Sequence, residues 1–541
     1  MTTVALRRDS RVVAWSALSL CTAVLAVDIP PRFDPEAFFV AREAGFLLFS
    51  TVSLLFLAGR VREMALDRLD ILALGVLALA WASAVGARVT PVVWRGIGGI
   101  SASVALWLVL RTPTVRGRDA FVTLIASLGV VIALITWCEA MGWIPSMAPR
   151  GFAPGGLFGH RNRMAHVLVL CLPAVAGGIA RSRGVSRVGL VGACALLVGA
   201  IVLSRSRAAW LGSAMVLAFA AVAATALRPS GAGAPAITSI GYCARLFGAA
   251  GLGILGATVS PTALSWKDQS PFLSTVRRLA EVDSGSGRAR KTQAATSLRM
   301  LSDAPYLGVG PGNWPIAYGR YALRADPSYR PELAVPTDRL PNGDWVGIAS
   351  ELGLPALLLL MLAGMELTLR SLRAFFVLRQ REPFWSFQAA LLVGLLGAIA
   401  VMGLADAVLM TPGSAAVAVS ALAVWSPRRG SLLRFALSER ARGLLLAVIL
   451  MAAFRPTAAV LRQLYAHHVA SGAASLSDLE TAARWNPADF GSRLRLARIY
   501  AARGRCELAV PHAIAAARLF PTSLAPIFLL GRCSPSSGAG R

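Results

Sequence analysis

Thirteen apolar segments, each close to the length that crosses a lipid bilayer as an α-helix, constrain this chain more than any other feature. About 20 apolar residues span the hydrocarbon core of a membrane. Inside lipid, backbone N–H and C=O groups need partners within the protein, which helices supply. The chain is 56% hydrophobic and 15% charged, and its charges cluster between the apolar segments. We therefore predict an all-α polytopic membrane bundle with spans near residues 12–29, 37–59, 69–85, 96–110, 119–141, 164–180, 188–203, 208–227, 240–260, 345–369, 384–403, 408–425 and 443–460.

The basic residues between these segments predict how the chain is oriented. Cytoplasmic loops are enriched in Lys and Arg, whereas long loops cross the membrane largely regardless of charge. With the N-terminus inside, the inside loops hold 22 basic residues and the short outside loops hold 8. This count treats the first segment as a retained helix, although it could instead be a signal peptide. It predicts a bacterial inner-membrane protein whose long loop and C-terminal tail are periplasmic.

The net charge of +27 does not by itself indicate nucleic acid. A basic balance can mark a nucleic-acid-binding surface, but here the charges lie between spans, as membrane orientation requires. Membrane lipids are therefore expected partners, and nucleic acid is not. No CxxC or Cys/His spacing typical of a metal site occurs, so neither a metal nor a cofactor is predicted. Cys506 and Cys533 could form a disulfide if the tail is periplasmic.

We divide the chain into five parts by these patterns. They are the N-terminal membrane helices, about nine spans, at 1–260; a large periplasmic loop at 261–344; the C-terminal membrane helices at 345–470; a helical tail at 471–533; and a disordered end at 534–541. Within the long loop, a helix is expected from about residue 289 to 302. A glycine-rich turn at 305–312 follows, and it lacks the strand and the Lys-Ser/Thr of a phosphate loop.

The tail contains a short internal repeat. The segment Ala483-Arg-Trp-Asn-Pro487 recurs as Ala517-Arg-Leu-Phe-Pro521, 34 residues later. A helix–turn–helix unit of this period resembles the tetratricopeptide repeat, whose arrays usually need at least three units. Because fewer units are visible here, we expect the tail to pack on the membrane domain or on a protein partner.

Four segments in order carry a resemblance to a known family. They are Gly156-Leu-Phe-Gly-His-Arg-Asn162, Leu203-Ser-Arg-Ser-Arg-Ala-Ala-Trp210, Ser302-Asp-Ala-Pro-Tyr-Leu-Gly-Val-Gly-Pro-Gly-Asn-Trp314, and Asn342-Gly-Asp-Trp-Val346 followed by Glu351-Leu-Gly353. Together they resemble the O-antigen ligase and O-antigen polymerase superfamily. The resemblance implies metal-independent transfer of a glycan from undecaprenyl diphosphate on the periplasmic face. The acceptor it implies is another glycan, lipid A core or a protein.

Arginines on the predicted outer face are the candidates for holding the diphosphate. The planar guanidinium binds phosphate oxygens through two parallel hydrogen bonds and stays charged. Arg161, Arg205 and Arg207 occupy two short outer loops, against the positive-inside rule, and the resemblance falls on Arg207 most directly. Arg95, at the start of the fourth span, is a weaker candidate. The alternative for each is a side chain that reaches toward phospholipid phosphates.

The acceptor hydroxyl needs a base or an orienting group. Family ligases carry a His-Asn pair whose place falls here on Asn342 and Gly343, so that histidine is absent. This departure is compatible with a polymerase-like subgroup or with lost activity. Asp344 is the candidate base, or alternatively the N-cap of the next helix. Glu351 is either a supporting residue or a packing carboxylate paired with an arginine.

His160 is the second candidate for acid–base work. It lies beside Arg161 and Asn162 and could accept a proton or donate to phosphate. It could equally order its own loop through a hydrogen bond. His166, further along the same helix, is interpreted as structural.

Two other functions fit parts of the sequence. A transporter or flippase of lipid-linked sugars would also use arginines on the outer face, but it would favour charges at mid-membrane, and few are present. A non-catalytic polysaccharide assembly protein, whose tail recruits glycan enzymes, fits the absent histidine.

Deleting the gene and separating surface polysaccharide on a gel distinguishes these functions. A ligase predicts loss of all long chains on lipid A while lipid-linked glycan accumulates, and a polymerase predicts single-repeat products. A flippase predicts a block before the glycan reaches the periplasm. An unchanged gel pattern would contradict every transferase interpretation.

Overall fold

A computed structural model describes residues 3–26, 40–87, 89–112, 115–146, 153–227, 240–266, 270–277, 285–323, 326, 329, 340–428, 430–472 and 475–533. This described part of the chain contains 21 α-helices and two four-residue strands. The all-α class predicted from the apolar segments is therefore confirmed. The predicted disordered end, 534–541, lies outside the described residues.

Thirteen of the helices correspond to the thirteen predicted spans. Eleven are long and apolar enough to cross a membrane, and the apolar parts of two more are shorter, Arg11–Leu25 and Pro412–Trp425. The thirteen are α1 (Thr3–Leu25), α2 (Val40–Ala58), α3 (Arg68–Val85), α4 (Thr90–Leu110), α5 (Val115–Ala140), α6 (Arg161–Arg181), α7 (Gly184–Ser204), α8 (Arg207–Ala226), α9 (Ile240–Val259), α14 (Leu354–Leu378), α15 (Pro383–Ala405), α16 (Pro412–Trp425) and α17 (Glu439–Gly472).

The long loop and the tail supply the other helices. In the loop the predicted helix near 289–302 is confirmed, and it runs somewhat further in both directions. The loop helices are α10 (Pro271–Arg277), α11 (Gly285–Asp303), α12 (Trp314–Tyr321) and α13 (Asp344–Leu352). The tail helices are α18 (Leu476–Trp485), α19 (Phe490–Ala502), α20 (Cys506–Leu519) and α21 (Leu524–Arg532).

One predicted span, 345–369, is wrong in its first part. The chain breaks at Gly353, so that α13 is a separate short helix and α14 begins at Leu354. Gly353 has φ 85°, and a Cβ there would lie 2.1 Å from the carbonyl oxygen of Tyr306. The N–H of Leu354 donates to the Pro305 carbonyl at 2.8 Å. The glycine-rich turn therefore packs into the break, and the apolar residues on both sides hide this break in the sequence.

Helix α6 forms the centre of the bundle. Of its most apolar 18-residue window, 89% is buried, and α5, α7, α8, α15 and α16 contact it. A helix that is apolar all round is expected in the core of a large protein, and residues 167–176 of α6 carry no polar side chain. Because neighbouring helices pack against α6 on every side, the residues of its first turn are held in fixed positions.

Buried ion pairs join the helices at one end of the bundle, which we call the aspartate end. Asp67, ahead of α3, accepts hydrogen bonds from Arg111 and Arg370, each at 2.5 Å. At the same end, strands β1 (Glu63–Leu66) and β2 (Leu433–Ala436) pair in antiparallel register. The two strands come from loops that the charge count predicts on one side of the membrane, 60–68 and 426–442.

The tail packs against the membrane helices. Phe490, Leu494 and Leu519 form one apolar cluster with Val89, just before α4, and Ile316 of α12. Cys506 and Cys533 are joined by a disulfide bond, which links the first residue of α20 to the residue after α21. A disulfide bond thus closes the end of the tail, and an apolar surface of the tail packs against the membrane helices.

Replacing Gly353 with Ala should destabilise the protein. A non-glycine residue in the left-handed region costs about 1–2 kcal/mol, and the clash with Tyr306 adds to it. The matched control is Gly364→Ala, where an added Cβ meets no atom within 4 Å and an alanine in a helix gains about 0.5–1 kcal/mol. Thermal denaturation of the purified protein in detergent should rank Gly353→Ala lowest. Equal melting of the two variants would contradict the role of the break.

Candidate functional site

Four arginines converge at the opposite end of the bundle, which we call the arginine end. Arg161 opens α6, Arg205 separates α7 from α8, Arg207 opens α8, and Arg290 lies on α11. Arg161 is within electrostatic range of the other three. The structure therefore brings together the three arginines singled out from the sequence and adds a fourth from the long loop.

The long loop holds two of these side chains in place. Arg205 donates to the hydroxyls of Thr275, at 2.9 Å, and Ser274, at 3.1 Å, both on α10. Its own backbone is left-handed, with φ 53°, a conformation that costs a non-glycine residue about 1–3 kcal/mol and persists where the surroundings enforce it. Arg207 donates to the hydroxyl of Ser286 on α11 at 3.1 Å. The tight turn between α7 and α8 therefore aims both guanidinium groups at the loop helices.

Asp406 supplies a negative charge beside the arginines. This buried carboxylate follows the last residue of α15 and accepts hydrogen bonds from Arg290, at 3.2 Å, and Asn162, at 3.1 Å. The Nε2 atom of His166 lies 3.6 Å away. Burial opposes ionisation, but His166 and Arg290 outweigh it and lower the pKa of Asp406 to about 2. Asp406 is therefore an anion at neutral pH.

Two polar atoms beside Asp406 have no hydrogen-bond partner within the described residues. They are Nδ1 of His166, which is 1% exposed, and Nε of Arg290. Buried polar groups are nearly always satisfied by protein or ordered water. The unpaired atoms therefore point to a polar ligand or water at this place.

His160 lies at the mouth of the cluster, immediately before α6. The surrounding protein desolvates His160, although the residue is exposed, and this lowers its pKa below the usual range; the charge of Arg163 adds to the effect. The imidazole is therefore neutral at neutral pH and can accept a proton or donate a hydrogen bond.

The segment before His160 is fixed by two buried charged residues. The carboxylate of Glu139 accepts from the backbone N–H groups of Gly155, at 3.2 Å, and Gly156, at 2.6 Å. Arg42 donates to the carbonyl of Leu157 at 2.7 Å and lies 4.0 Å from the ring centre of Phe158. These contacts set the direction in which the chain enters α6.

Asp344 is fully buried and fastens the loop that carries Asp406. Its carboxylate oxygens accept from the backbone N–H groups of Val408, Leu409 and Met410 at 2.9 to 3.2 Å. Burial raises the pKa of Asp344 to about 7 against the opposing effect of these donors. The N-cap of α13 is Gly343, so Asp344 does not cap its own helix. Its contacts favour a positioning role over direct proton transfer.

The remaining sequence candidates lie in different surroundings. Glu351 accepts from the backbone N–H groups of Gly312, at 2.9 Å, and Trp314, at 3.2 Å, so the glycine-rich turn takes the place of the expected arginine. Arg95 donates to Glu43, with Nη2 and Oε1 3.0 Å apart. Both line a separate cavity and lie outside the arginine cluster. Among the described residues, no group of three or more metal-ligating side chains occurs.

The position at which family ligases carry a histidine lies in the same region of the structure as Arg290. The backbone N–H of Asn342 donates to the side-chain oxygen of Gln293 at 2.5 Å, and Gln293 lies one helical turn after Arg290 on α11. Two residues later, Asp344 holds the loop that presents Asp406.

Sequence reasoning missed Arg290 and Asp406 and took His166 as structural. Arg290 is one of many arginines in a basic chain, so composition concealed it. The sequence did carry a signal for Asp406, because it is the one acidic residue in a short loop, 404–412, that has no basic residues and that the charge count predicts to be outside.

The fold and the site define a polytopic all-α membrane protein with a cationic site at one end of its bundle. Residues 192–361 match the sequence model of the O-antigen ligase family. This chain is a multi-pass membrane protein that contains an O-antigen ligase domain. The match confirms the resemblance and includes three of the four sequence segments, and it supports transfer of glycans by a ligase or polymerase in general. The matched stretch includes Arg205, Arg207 and Arg290. No curated protein matches the chain.

Replacing Asp344 with Asn should cost about 1–3 kcal/mol of stability, because the amide nitrogen would face backbone N–H groups that now donate to a carboxylate. Thermal denaturation in detergent measures this loss. Asp303→Asn, at the exposed end of α11, is the matched control. A variant of Asp344 that melts like the wild type but fails to transfer glycan would instead indicate a chemical role.

Proposed function

We propose that this protein transfers a glycan from undecaprenyl diphosphate to an acceptor hydroxyl on the periplasmic face of the inner membrane. The observation that carries the proposal is the convergence of four guanidinium groups near the buried carboxylate of Asp406. Guanidinium groups bind phosphate oxygens through paired hydrogen bonds, so a cluster of four is suited to a ligand with several negative charges. A diphosphate at the membrane surface has this chemistry.

The arginines would act on the leaving group. During transfer, the bond between the anomeric carbon and the terminal phosphate oxygen breaks, and a new bond forms to the acceptor oxygen. Negative charge grows on the diphosphate as the bond breaks, and donors already aimed at it stabilise the transition state. Arg161, Arg207 and Arg290 would bind the phosphate oxygens, and Arg205 would support them from the turn before α8.

The proton of the acceptor hydroxyl also needs a destination. Among the candidates, His160 is neutral, reaches solvent and lies beside Arg161, so we assign it the proton. A bound diphosphate would add negative charge next to His160 and raise its pKa toward neutrality. Asn162 would hold Asp406, and Asp344 would hold the loop behind it. In this arrangement His160 takes the role of the family histidine, whose place falls here on Asn342 and Gly343.

The excess of basic residues in alternate loops supports a periplasmic site. The disulfide between Cys506 and Cys533 supports the same side for the tail, because such bonds persist in oxidising compartments. The acceptor hydroxyl could belong to another glycan, to lipid A core or to a protein.

Replacing Arg290 with Ala should lower the rate of transfer about 10²–10³-fold, as loss of an oxyanion donor does in other enzymes. Arg290→Lys should recover part of the rate, because a point charge replaces the bidentate fork. The assay follows product and released undecaprenyl diphosphate, using the full-length protein in lipid nanodiscs.

Arg288→Ala is the matched control, two residues away on α11 and exposed. It should leave the rate unchanged. If Arg290→Ala folds normally, by thermal denaturation, and transfers glycan as fast as Arg288→Ala, the diphosphate assignment is wrong.

A further inference from the structure

The aspartate end of the bundle contains two arginines that form no ion pair with any residue the structure describes. Arg118 lies in the first turn of α5, and Arg428 lies three residues after the end of α16. Both are within electrostatic range of Arg111, the residue that follows α4. Helix α16 packs against α4 and α5. Three cations therefore meet where α4 ends, α5 begins and α16 ends.

The carboxylates at this end are already bonded to other groups. Both Arg111 and Arg370 donate to Asp67. The carboxylate of Asp70 lies 3.1 Å from Nε of Arg111 and accepts from the N–H of Asp67 at 3.0 Å. Two further carboxylates are also paired, those of Glu366 with Arg370, at 2.8 Å, and of Asp119 with Arg181, at 2.7 Å.

These carboxylates do not fully offset the charge of Arg428. The surrounding protein desolvates Arg428, although the residue is exposed, and this lowers its pKa. The charges of Arg118 and Arg111 add to the effect, and Asp70 and Asp67 oppose it only in part. Arg428 is therefore in surroundings that an additional anion would stabilise.

Two buried donors at this end have no acceptor within the part of the chain that the structure describes. They are Nε of Arg118 and Nε1 of Trp425, which is the last residue of α16 and is 9% exposed. The next residue, Ser426, accepts from Arg111 at 3.1 Å. Arginine and tryptophan side chains donate hydrogen bonds and accept none, and buried polar groups nearly always have a partner. The missing partner is therefore an acceptor, and the charge of Arg118 favours an anionic one.

Both unpaired arginines lie where the head groups of membrane lipids are expected. The apolar span of α5 begins at Gly117, and the apolar helix α16 ends at Trp425. Basic side chains at the ends of such helices reach the level of the lipid phosphates, and basic pockets between membrane helices bind anionic head groups. The charge count predicts 111–118 and 426–442 on the inner side, where the leaflet is rich in anionic lipid.

We propose that the ends of α4, α5 and α16 form a binding site for a phosphate group, with the head group of an anionic phospholipid as its expected source. Arg118 and Arg428 donate to the phosphate oxygens, as guanidinium groups do, and Trp425 supplies a third donor. The phosphate joins α5 to α16, as Asp67 joins α3, α4 and α14. The site lies at the opposite end of the bundle from the arginine cluster and does not depend on the proposed transfer.

A matched pair of double variants tests the proposal. Arg118→Gln with Arg428→Gln removes the two cations of the site. Arg373→Gln with Arg379→Gln removes two exposed arginines at the end of α14, on the same side of the bundle. Both variants lose two positive charges, so a general attraction between a basic surface and anionic lipid weakens equally in both.

Native mass spectrometry of the full-length protein measures binding of phosphatidylglycerol and phosphatidylcholine with identical acyl chains. The wild type should bind phosphatidylglycerol at least tenfold more tightly, because the choline cation offsets the phosphate charge of the other lipid. The Arg118 and Arg428 variant should lose this preference, and the Arg373 and Arg379 variant should keep it. Arg290→Ala, at the arginine end, should keep it too.

Trp425→Phe provides a second test that leaves the charges unchanged. It should weaken binding of phosphatidylglycerol about two- to tenfold, which corresponds to the loss of one hydrogen bond. If the double variant of Arg118 and Arg428 does not fold, as thermal denaturation would show, this variant decides the question, and unchanged binding by folded Trp425→Phe then overturns the proposal.

Inorganic phosphate, added during thermal denaturation in detergent, distinguishes the source of the phosphate group. A higher melting temperature for the wild type but not for the Arg118 and Arg428 variant, without selective binding of phosphatidylglycerol, supports the site and assigns it to a soluble phosphate. Equal loss of phosphatidylglycerol by the two double variants would overturn the proposal. A wild type that neither prefers phosphatidylglycerol nor is stabilised by phosphate would also overturn it.

Discussion

The buried carboxylate of Asp406 connects parts of the chain that are far apart in sequence. It follows α15, accepts from Asn162 on α6, and pairs with Arg290 of the long loop, 116 residues away. Asp406 is a buried counter-charge of Arg290, and removing one partner of a buried ion pair is strongly destabilising. The position of α11 over the membrane bundle thus depends on this anion, together with the contacts of Arg205 with α10 and of Arg207 with α11.

The contacts that hold Asp406 and its neighbours in place can be followed outward from the core of the bundle. Helix α6 is held by apolar contacts on all sides, and Glu139 and Arg42 fix the segment that leads into it. Asp344 fixes the loop after α15, and the glycine-rich turn fixes α13 through Glu351. Preorganised groups avoid reorganisation at the moment of reaction, which is the main source of electrostatic catalysis. The carboxylates of Glu139, Asp344 and Glu351 act chiefly by holding backbone N–H groups.

Most of the fold was predictable from local sequence, because hydrophobicity over about 20 residues is sufficient to specify a membrane helix. All thirteen segments correspond to helices. The break at Gly353 was not predictable, since leucines on either side continue the apolar pattern and the cause is a carbonyl of Tyr306 from the long loop. The pairing of β1 with β2 was also missed, because two four-residue strands separated by more than 360 residues carry no local signal.

The sequence by itself determined the membrane class, the thirteen apolar helices, the family resemblance, and Arg161, Arg205 and Arg207 as members of one cluster. Tertiary structure alone decided that Arg290 and Asp406 join them, that Arg95 pairs with Glu43 at a separate cavity, and that Asp344 binds backbone. The physical reason is the distance along the chain over which each kind of signal acts. Hydropathy and charge bias act on neighbouring residues and can be read along the chain, whereas a charge cluster or cavity depends on which distant side chains the packing of helices brings within a few ångströms.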